Sequence, residues 1–345
     1  MSTCSSTAHR CDTGDGDVLV LGGTHHVGRA VVEAGLARGW SVTTVTRGLS
    51  DPSTPGAEAL HADRTDPATL SAALGARSWD AVLDTWSGPP RVVRDAATLL
   101  VNRVGHYGYV SSRSVYCWPI PPGLDEHGPV VDGDPTSPDD RNYSAAKRGG
   151  ELAVLEAFGE RALIARAGLI LGPYERVGRL PWWLRRVQRG GRVLAPGPAD
   201  RPLQFIDGRD LAQWMLSAAD KEVGGVFNTV SRPGHATMGE LLDTCRAVTA
   251  SGAELVWTPP EGIAKANIAP WTELPLWVPP DGDLAGLHAG DVSAALKHGL
   301  DCRPVADTVA DTWAWLQAEG DPPSLSDGSV GLDAQRETQV LAHTS

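Results

Sequence analysis

The feature that most constrains the fold of this chain is a short apolar run that stops at two glycines and is followed by a helical pattern. The run Asp17–Leu21 (DVLVL) is almost entirely apolar, as expected of a strand buried on both faces. It ends in Gly22 and Gly23. Apolar residues then recur at helical spacing as far as Gly39, a residue type that commonly ends helices. The sequence therefore predicts a first strand, a tight turn and a first helix.

The same alternation continues through the first half of the chain. Further strands are predicted at Ser41–Thr46, 59–61, 80–85, 106–111 and Ala162–Ala167, and further helices at Pro67–Leu74, 91–101 and 142–158. Short connections between alternating strands and helices imply parallel strands with right-handed crossovers. We therefore predict an α/β fold, with a Rossmann-type doubly wound parallel sheet in a dinucleotide-binding domain at residues 17–172.

The composition of the sequence changes after residue 172, where prolines and tryptophans become frequent. Residues 203–230 return to a strand and helix pattern and are predicted to rejoin the nucleotide domain. The other segments are expected to form a smaller C-terminal substrate-binding lobe, at 173–202 and 231–319. Both ends of the chain are poor in large apolar residues and are predicted to be a disordered arm and a disordered tail, at 1–16 and 320–345.

Composition excludes several classes of protein. The formal net charge of −12 argues against a nucleic-acid partner, whose binding needs a basic surface. The sequence has no run of about 18 apolar residues and no basic start followed by an apolar stretch, so neither a membrane span nor a secretory signal is expected. An odd number of cysteines without a CxxC pair predicts free thiols in a reducing cytoplasm and no metal site. The cysteines are Cys4, Cys11, Cys117, Cys245 and Cys302.

The segment between the first strand and the first helix is predicted to bind the pyrophosphate of a dinucleotide. A helix N-terminus presents unpaired N–H groups and a partial positive charge, and glycines let the backbone approach closely. The spacing matches a G-x-x-G-x-x-G loop in which His25 replaces the middle glycine, and at most one imidazole is expected to touch a phosphate. A tight turn without a ligand is the alternative. The predicted residues are Gly22, Gly23, Thr24, His25, His26, Val27 and Gly28.

Residues at the ends of the next three strands bear on the choice of cofactor. An acidic residue after the second strand would bind the ribose hydroxyls of NAD, whereas this chain has Thr46 and Arg47. A guanidinium there can pair with the 2′-phosphate of NADP, so NADP is preferred over NAD; a solvated surface arginine is the alternative. Asp63 is predicted to contact the adenine edge. Asp84 and Thr85 are predicted to contact the cofactor beside the nicotinamide, with a structural cap as an equal alternative.

Tyr143 and Lys147 lie four residues apart on a predicted helix and therefore share one face. A free phenol has a pKa near 10. A nearby ammonium favours the phenolate and lowers that pKa, so that the phenol can exchange a proton with an alcohol or a carbonyl. Ser112 follows the fifth strand, at the edge where α/β sheets bind ligands, and can hydrogen-bond the reacting oxygen. There are two alternatives. Tyr143 and Lys147 can be an exposed pair of side chains on the helix surface, and the serines can form a turn in which their hydroxyls bond to the local backbone.

Three motifs, in this order and at these distances, resemble the extended short-chain dehydrogenase/reductases, as an atypical branch of the NAD-dependent epimerase/dehydratase group. They are GGTxxxG after the first strand, SSxSVY after the fifth and YxxxK on the next helix. The resemblance runs from about residue 17 to about residue 315 and includes RAGLILGP at 166–173 and QFIDGRDL at 204–211. It implies that Ser112, Tyr143 and Lys147 form the catalytic set, and that Lys147 also binds the nicotinamide ribose.

Other residues are predicted to meet the substrate between the sheet edge and the smaller lobe. Sugar-nucleotide dehydratases of the family carry an Asp-Glu pair after the catalytic hydroxyl, whereas this chain has Arg113 and Ser114, so elimination of water is not expected. Trp182 and Trp183 are expected to wall an apolar pocket or, as the alternative, to pack the lobe. The predicted substrate contacts are Trp86, Ser112, Ser114, Trp182 and Trp183.

These residues favour an NADP(H)-preferring oxidoreductase that transfers hydride between the nicotinamide and a small carbonyl or alcohol. An NAD-dependent epimerase, for example of a nucleotide sugar, would need the same residues and is one alternative. A dinucleotide-sensing or RNA-associated binding protein on the same fold is the other, although it would have no need of an acid–base pair. The expected partner is a small molecule, neither a nucleic acid nor a membrane. Helices beside such sheets often pair, which allows a homodimer.

Overall fold

The computed structural model describes residues 16–49, 54–323 and 330–342. Residues 1–15 of the predicted arm lie outside these ranges, as do Cys4 and Cys11. The strands are β1 (Asp17–Leu21), β2 (Ser41–Thr46), β3 (Glu58–His61), β4 (Trp79–Asp84), β5 (Val104–Ser112), β6 (Ala162–Ala167), β7 (Leu169–Leu171), β8 (Arg192–Pro196), β9 (Pro202–Leu203), β10 (Phe205–Asp207), β11 (Gly225–Thr229), β12 (Ala236–Thr237) and β13 (Glu254–Thr258). The helices are α1 (His26–Ala37), α2 (Pro67–Leu74), α3 (Pro90–Leu100), α4 (Tyr143–Phe158), α5 (Arg179–Gln188), α6 (Gly208–Asp220), α7 (Met238–Val248), α8 (Pro260–Lys265), α9 (Ser293–Lys297), α10 (Val305–Glu319) and α11 (Ala334–Ala342).

Seven parallel strands form the central sheet, in the order β11-β6-β5-β4-β1-β2-β3. The order reverses at β1, which pairs with β2 on one side and with β4 on the other. Leu21 lies beside Val45 and Asp84 in register, so the ends of these three strands meet at one edge. Such a reversal is the switch point at which doubly wound sheets bind ligands. The predicted α/β fold with a Rossmann-type sheet is confirmed.

The central strands are apolar because helices cover both faces of the sheet. In β1, Val18 and Val20 pack into the core beneath α1 and α6, whereas Leu19 and Leu21 pack into the core beneath α2, α3 and α4. Successive side chains of a strand point to opposite faces, so all four are fully buried. Polar side chains are therefore concentrated at the carboxyl edge of the sheet, where the strands end.

The smaller lobe has a core of its own. In it, α5 packs on α7 and α10, β8 pairs with β13, and Trp183 and Trp277 are fully buried. The chain also returns to the central sheet, where β11 pairs with β6 at the edge and α6 packs on α1. β10 and β7 form a separate two-stranded parallel sheet. Cys117, Cys245 and Cys302 are free thiols. Across the described ranges, no helix has both the length and the apolar character that a membrane crossing requires.

The C-terminal end of the chain departs from the prediction of a disordered tail at 320–345. That prediction is wrong for residues 330–342, because α11 packs on the smaller lobe. Leu332 and Leu341 join the core of the lobe, and Glu337 is buried in an ion pair with Arg186. Few residues of this polar segment are apolar, but Glu337 and Leu341 are four residues apart and share the buried face of α11.

The ion pair of α11 generates a test of its packing. Glu337→Ala removes the carboxylate that pairs with Arg186 and that accepts a hydrogen bond from Leu194 N at 3.0 Å. Because a buried guanidinium would lose its partner, we expect the free energy of unfolding to fall by about 3 kcal/mol in urea denaturation. Gln335→Ala, at an exposed position of the same helix, is the control and should change it by less than about 0.5 kcal/mol. Equal stabilities of the two variants would show that α11 does not pack on the lobe in solution.

Candidate active site

The loop between β1 and α1 packs backbone directly against backbone. Gly22 and Gly23 have φ angles of 122° and 121°, which L side chains rarely adopt. A Cβ on Gly22 would lie 2.5 Å from Thr85 Oγ1, and a Cβ on Gly28 would lie 2.7 Å from Gly23 N. α1 therefore begins directly at the end of β1, with its first N–H groups at the switch point. The glycine loop and these N–H groups form a cradle that a side chain on either glycine would fill. The cradle fits the pyrophosphate of a dinucleotide.

The side chains of this loop differ in what they can contact. Val27 is buried in the core, and Thr24 and His25 are half-buried. The Nε2 atom of His26 lies 3.3 Å from Leu171 O at the end of β7, and burial lowers the pKa of this imidazole to about 4. The His26 ring is therefore neutral and directed to β7, which leaves only its backbone for the cradle. Throughout the described part of the chain, no three His, Cys, Asp or Glu side chains cluster closely enough to hold a metal ion.

Arg47 and Asp63 lie at the ends of the neighbouring strands β2 and β3, and both are exposed. Thr46 Oγ1 accepts a hydrogen bond from Gly48 N at 3.3 Å and so closes the turn that carries Arg47. Hydrogen bonds from Thr65 N and Oγ1 lower the pKa of the Asp63 carboxyl, and the nearby charge of Arg47 lowers it further. The structure thus brings the residues predicted to bind the adenosine half of the cofactor to one place.

Asp84 is fully buried at the end of β4 and takes part in four hydrogen bonds. Its two oxygens accept from Arg64 Nη1 and Nη2 at 2.7 Å each. Tyr107 Oη donates to it at 2.7 Å and Trp86 N at 2.9 Å. The prediction that Asp84 contacts the cofactor is wrong, because this carboxylate is enclosed and already bonded; it is a structural cap. The sequence reasoning missed Arg64 and Tyr107, although a carboxylate that ends a buried apolar strand requires such partners.

Thr85 and Trp86 follow β4 and are half-buried beside the glycine loop. Thr85 N and Oγ1 donate to Leu21 O at 3.3 Å and 3.2 Å, which ties this segment to the end of β1. Trp86 Nε1 donates to Pro89 O at 3.0 Å, and the guanidinium carbon of Arg64 lies 5.0 Å from the centre of the ring. Both side chains stand next to the predicted cofactor site.

Lys147 lies on the second turn of α4 and is only 3% exposed. Its Nζ donates to Trp86 O at 2.6 Å and to Val110 O at 2.7 Å. Burial lowers the pKa of this ammonium to about 8, while the negative charges of Asp84 and Glu151 act in the opposite direction. The amine is therefore largely protonated at neutral pH, and two of its three N–H groups bind main-chain carbonyls.

Tyr143 is the first residue of α4, which begins here because the Asn142 side chain caps it by accepting from Ala145 N. Tyr143 is 47% exposed and lies beside Ser112, the last residue of β5, whose hydroxyl acts on the pKa of the phenol. Ser112 Oγ accepts from Ser114 N at 3.1 Å and lies 3.1 Å from Ser114 Oγ, which can donate to it. The structure therefore brings Ser112, Ser114 and Tyr143 together at the carboxyl edge of the sheet, one helical turn from Lys147.

The acidity of Tyr143 differs from the prediction. Partial burial raises the pKa of this phenol; the hydrogen bond with Ser112 opposes the increase, and so does the positive charge of Arg179. The prediction that Lys147 lowers this pKa is wrong in this structure, since the pKa is raised and the opposing cation stands on α5. Arg179 was missed because it lies 36 residues after Tyr143 in the sequence, on an element of the smaller lobe.

Trp182 and Trp183 belong to the core of the smaller lobe. Their rings make a T-shaped contact at 4.6 Å, and Trp183 Nε1 donates to Pro275 O at 2.7 Å. The prediction that they contact the substrate is wrong, because Trp183 is fully enclosed and Trp182 faces Gly331 and the end of the chain. The packing alternative accounts for both.

The family of the chain follows from its sequence and its fold together. Residues 18–229, more than half of the chain, match the model of the NAD dependent epimerase/dehydratase family. No curated protein matches the chain in sequence.

Several solved structures share the fold. The enzyme WbmH of Bordetella bronchiseptica, solved in complex with NAD+, has a TM-score of 0.67 at 18% identity, over 89% of this chain and 99% of that chain. Epimerase Mth375 of Methanothermobacter thermautotrophicus has a TM-score of 0.62 at 17% identity, over 89% and 93%. UDP-glucose 4-epimerase of Thermotoga maritima, solved with UDP-glucose, has a TM-score of 0.60 at 17% identity, over 88% and 99%. With its family match and its Rossmann-type sheet, the chain belongs to the NAD dependent epimerase/dehydratase family of extended short-chain dehydrogenase/reductases.

Proposed function

We propose that this protein is an NAD(P)-dependent oxidoreductase that reduces a small carbonyl compound or oxidises the corresponding alcohol. The observation that carries the proposal is the position of Tyr143 beside Ser112, one helical turn from the buried ammonium of Lys147. These three groups lie at the carboxyl edge of the sheet, as does the glycine loop, whose close backbone packing supports its proposed role in binding a dinucleotide. Family membership supports the use of a nicotinamide cofactor.

NAD(P), when bound, accepts or supplies the hydride. The backbone of the glycine loop would hold its pyrophosphate, and the remaining N–H of Lys147 would bind the nicotinamide ribose. Arg47 would pair with the 2′-phosphate of NADP, so NADP is the proposed cofactor. The similar enzyme WbmH was solved with NAD+, which keeps NAD as the competing choice.

Tyr143 would move the proton. Because its pKa is raised above the usual value of a phenol, the hydroxyl is protonated at neutral pH and is ready to give its proton to a carbonyl oxygen. Ser112 would hold that oxygen by a second hydrogen bond. Removing a proton from an alcohol requires the phenolate, so the oxidation rate should rise with pH. The protonation state therefore favours the reductive direction near neutral pH.

Epimerisation is the second candidate, and the similar structures favour it. Two of those named above are epimerases, and one was solved with UDP-glucose. An epimerase would oxidise and re-reduce the same carbon with a retained cofactor, through the same three residues. A non-catalytic dinucleotide sensor or RNA-associated protein is disfavoured, because binding alone does not require a phenol and a serine hydroxyl side by side next to a buried ammonium.

The test begins with the purified protein as isolated. Release of a nicotinamide nucleotide on denaturation, and turnover of a sugar nucleotide without added cofactor, would favour epimerisation. Consumption of added NADPH with a panel of aldehydes and ketones would support the oxidoreductase. Failure to bind either dinucleotide would overturn both.

Tyr143→Phe should remove the proton donor and leave the cofactor site intact. We expect kcat to fall by about 10²- to 10⁴-fold while the dissociation constants of NAD+ and NADP+ stay within about twofold. Steady-state kinetics and fluorescence titration measure the two quantities. Tyr174→Phe deletes a phenol that packs on Arg29 and Trp315 and has no contact with Ser112 or Lys147 among the described interactions, and it serves as the matched control. Full activity of Tyr143→Phe would contradict the assigned role.

Ser112→Ala should raise the pKa of Tyr143 further, because the hydrogen bond from Ser112 lowers it. Ultraviolet titration of Ser112→Ala records all the tyrosines. Subtracting the titration of the double variant that also carries Tyr143→Phe leaves the signal of Tyr143, from which its pKa is read. The pH at which alcohol oxidation becomes fast should increase by the same amount. A lowered or unchanged pKa would mean that the two hydroxyls do not interact in solution.

Arg47→Gln should weaken NADP+ binding by about tenfold or more and leave NAD+ binding unchanged, since the charge-assisted bonds to the 2′-phosphate are lost. Isothermal titration with both nucleotides measures the effect. Arg246→Gln, at the end of α7, removes an equally exposed arginine from the smaller lobe and is the control. If Arg47→Gln binds both nucleotides more weakly by the same factor, Arg47 does not bind the 2′-phosphate.

A further inference from the structure

Lys147 is held by a buried network that reaches across the sheet to the end of β3. We propose that Asp84 and Arg64 are positioning residues for Lys147: through the main chain of Trp86 they fix the direction in which the ammonium can reach a cofactor. The inference rests on the proposed function, since it takes Lys147 to be the ribose-binding residue.

The ion pair between Arg64 and Asp84 is buried, and its geometry is fixed. Arg64 Nη1 and Nη2 meet the two oxygens of Asp84 at 2.7 Å each, with 6% and 0% of these side chains exposed. A two-pronged contact between guanidinium and carboxylate fixes the orientation of both planes. Tyr107 Oη donates to Asp84 at 2.7 Å from the neighbouring strand β5. The position of the carboxylate is therefore set from two sides of β4.

Trp86 is the link between this pair and Lys147. β4 ends at Asp84, so Trp86 is outside the ladder of hydrogen bonds that holds the strands. Its N–H donates to Asp84 Oδ1 at 2.9 Å, and its carbonyl accepts from Lys147 Nζ at 2.6 Å. The second carbonyl that holds Lys147 belongs to Val110, within β5. The sheet fixes the Val110 carbonyl. The Trp86 carbonyl is positioned by the bond from Trp86 N to Asp84, together with the Tyr109 hydroxyl, which donates to it at 3.3 Å, and the bonds from Thr85 to Leu21 O.

This arrangement determines what the lysine can do. An ammonium has three N–H groups, and with two of them on fixed carbonyls the direction of the third is set. If the Trp86 carbonyl moved, the third N–H would turn away from the cofactor even though Lys147 itself was unchanged. Asp84 and Arg64 thus act without touching the cofactor.

The two residues also act on the charge of Lys147, in opposite directions. Asp84 raises the pKa of the ammonium and Arg64 lowers it, while Glu151 on α4 raises it and burial lowers it, with a resulting value of about 8. The ring centre of Tyr109 lies 4.9 Å from Nζ, and burial raises the pKa of this phenol well above its usual value, so it adds no charge beside Lys147. If the ammonium binds the ribose, affinity for the cofactor must fall as pH rises through this pKa.

The experiment measures the dissociation constant of NADP+ as a function of pH on the full-length protein, and that of NAD+, which lacks a titrating 2′-phosphate. In the unmodified protein, affinity should fall as pH rises through about 8, and Lys147→Met should abolish this dependence. Asp84→Asn should move the midpoint to lower pH and Arg64→Met to higher pH. Shifts of opposite sign distinguish an action on Lys147 from general structural damage.

Variants that keep the fold complete the test, since either single change leaves a buried charge unpaired. The double variant Arg64→Met/Asp84→Asn removes both charges together, and Tyr107→Phe removes one hydrogen bond only. Each should weaken cofactor binding by about three- to tenfold while the protein still unfolds cooperatively. The exposed pair on α7, changed as Arg246→Met/Asp243→Asn, is the control and should bind as the unmodified protein does.

The outcomes separate the two proposals. If Lys147→Met binds the cofactor with unchanged affinity and pH dependence, the ribose-binding role of Lys147 is lost, and this inference is lost with it. If Lys147→Met abolishes the pH dependence but the folded double variant and Tyr107→Phe bind as tightly as the unmodified protein, only the positioning role of Asp84 and Arg64 is overturned.

Discussion

Burial of the parallel sheet on both faces is the constraint on which the rest of the structure depends. Helices cover both faces, so polar side chains are concentrated at the carboxyl edge of the strands, and those that are buried there need partners inside the protein. Asp84 and Glu151 are both fully buried on either side of Lys147. Their side-chain partners are Arg64 and Tyr107 for Asp84, and Ser111, Arg148 and Arg166 for Glu151. The candidate site is the solvent-exposed part of this group of polar side chains at the carboxyl edge.

Elements with an unambiguous burial pattern could be predicted from the sequence to the residue. The predicted bounds of β1, β2, α2 and β6 are those of the structure, because a run of apolar residues or an amphipathic repeat records which face is buried. Contacts between residues that are far apart in the sequence produce no such local pattern. The partners Arg186 and Glu337 are 151 residues apart, so the local sequence of α11 does not indicate that this helix packs on the lobe.

The candidate site was predictable in its members and less so in their interactions. Motif order places Ser112, Tyr143 and Lys147 at one edge, and the structure brings them together there. Spacing alone shows that Tyr143 and Lys147 share a face of a helix. It does not show that the ammonium donates to two carbonyls, nor that the cation acting on the phenol is Arg179 on another element. These facts depend on tertiary packing.

The position of β11 has a consequence for how the protein is made. This edge strand completes the sheet beside β6, although residues 168–224 separate the two strands in the chain. During synthesis, β6 must wait for its neighbour until the first segment of the smaller lobe, residues 173–202, and the whole of α6 have left the ribosome. Until then the α1 face of the sheet also lacks α6, its covering helix. The two parts of the protein therefore mature together, and a nascent chain halted near residue 170 would expose an apolar sheet to chaperones.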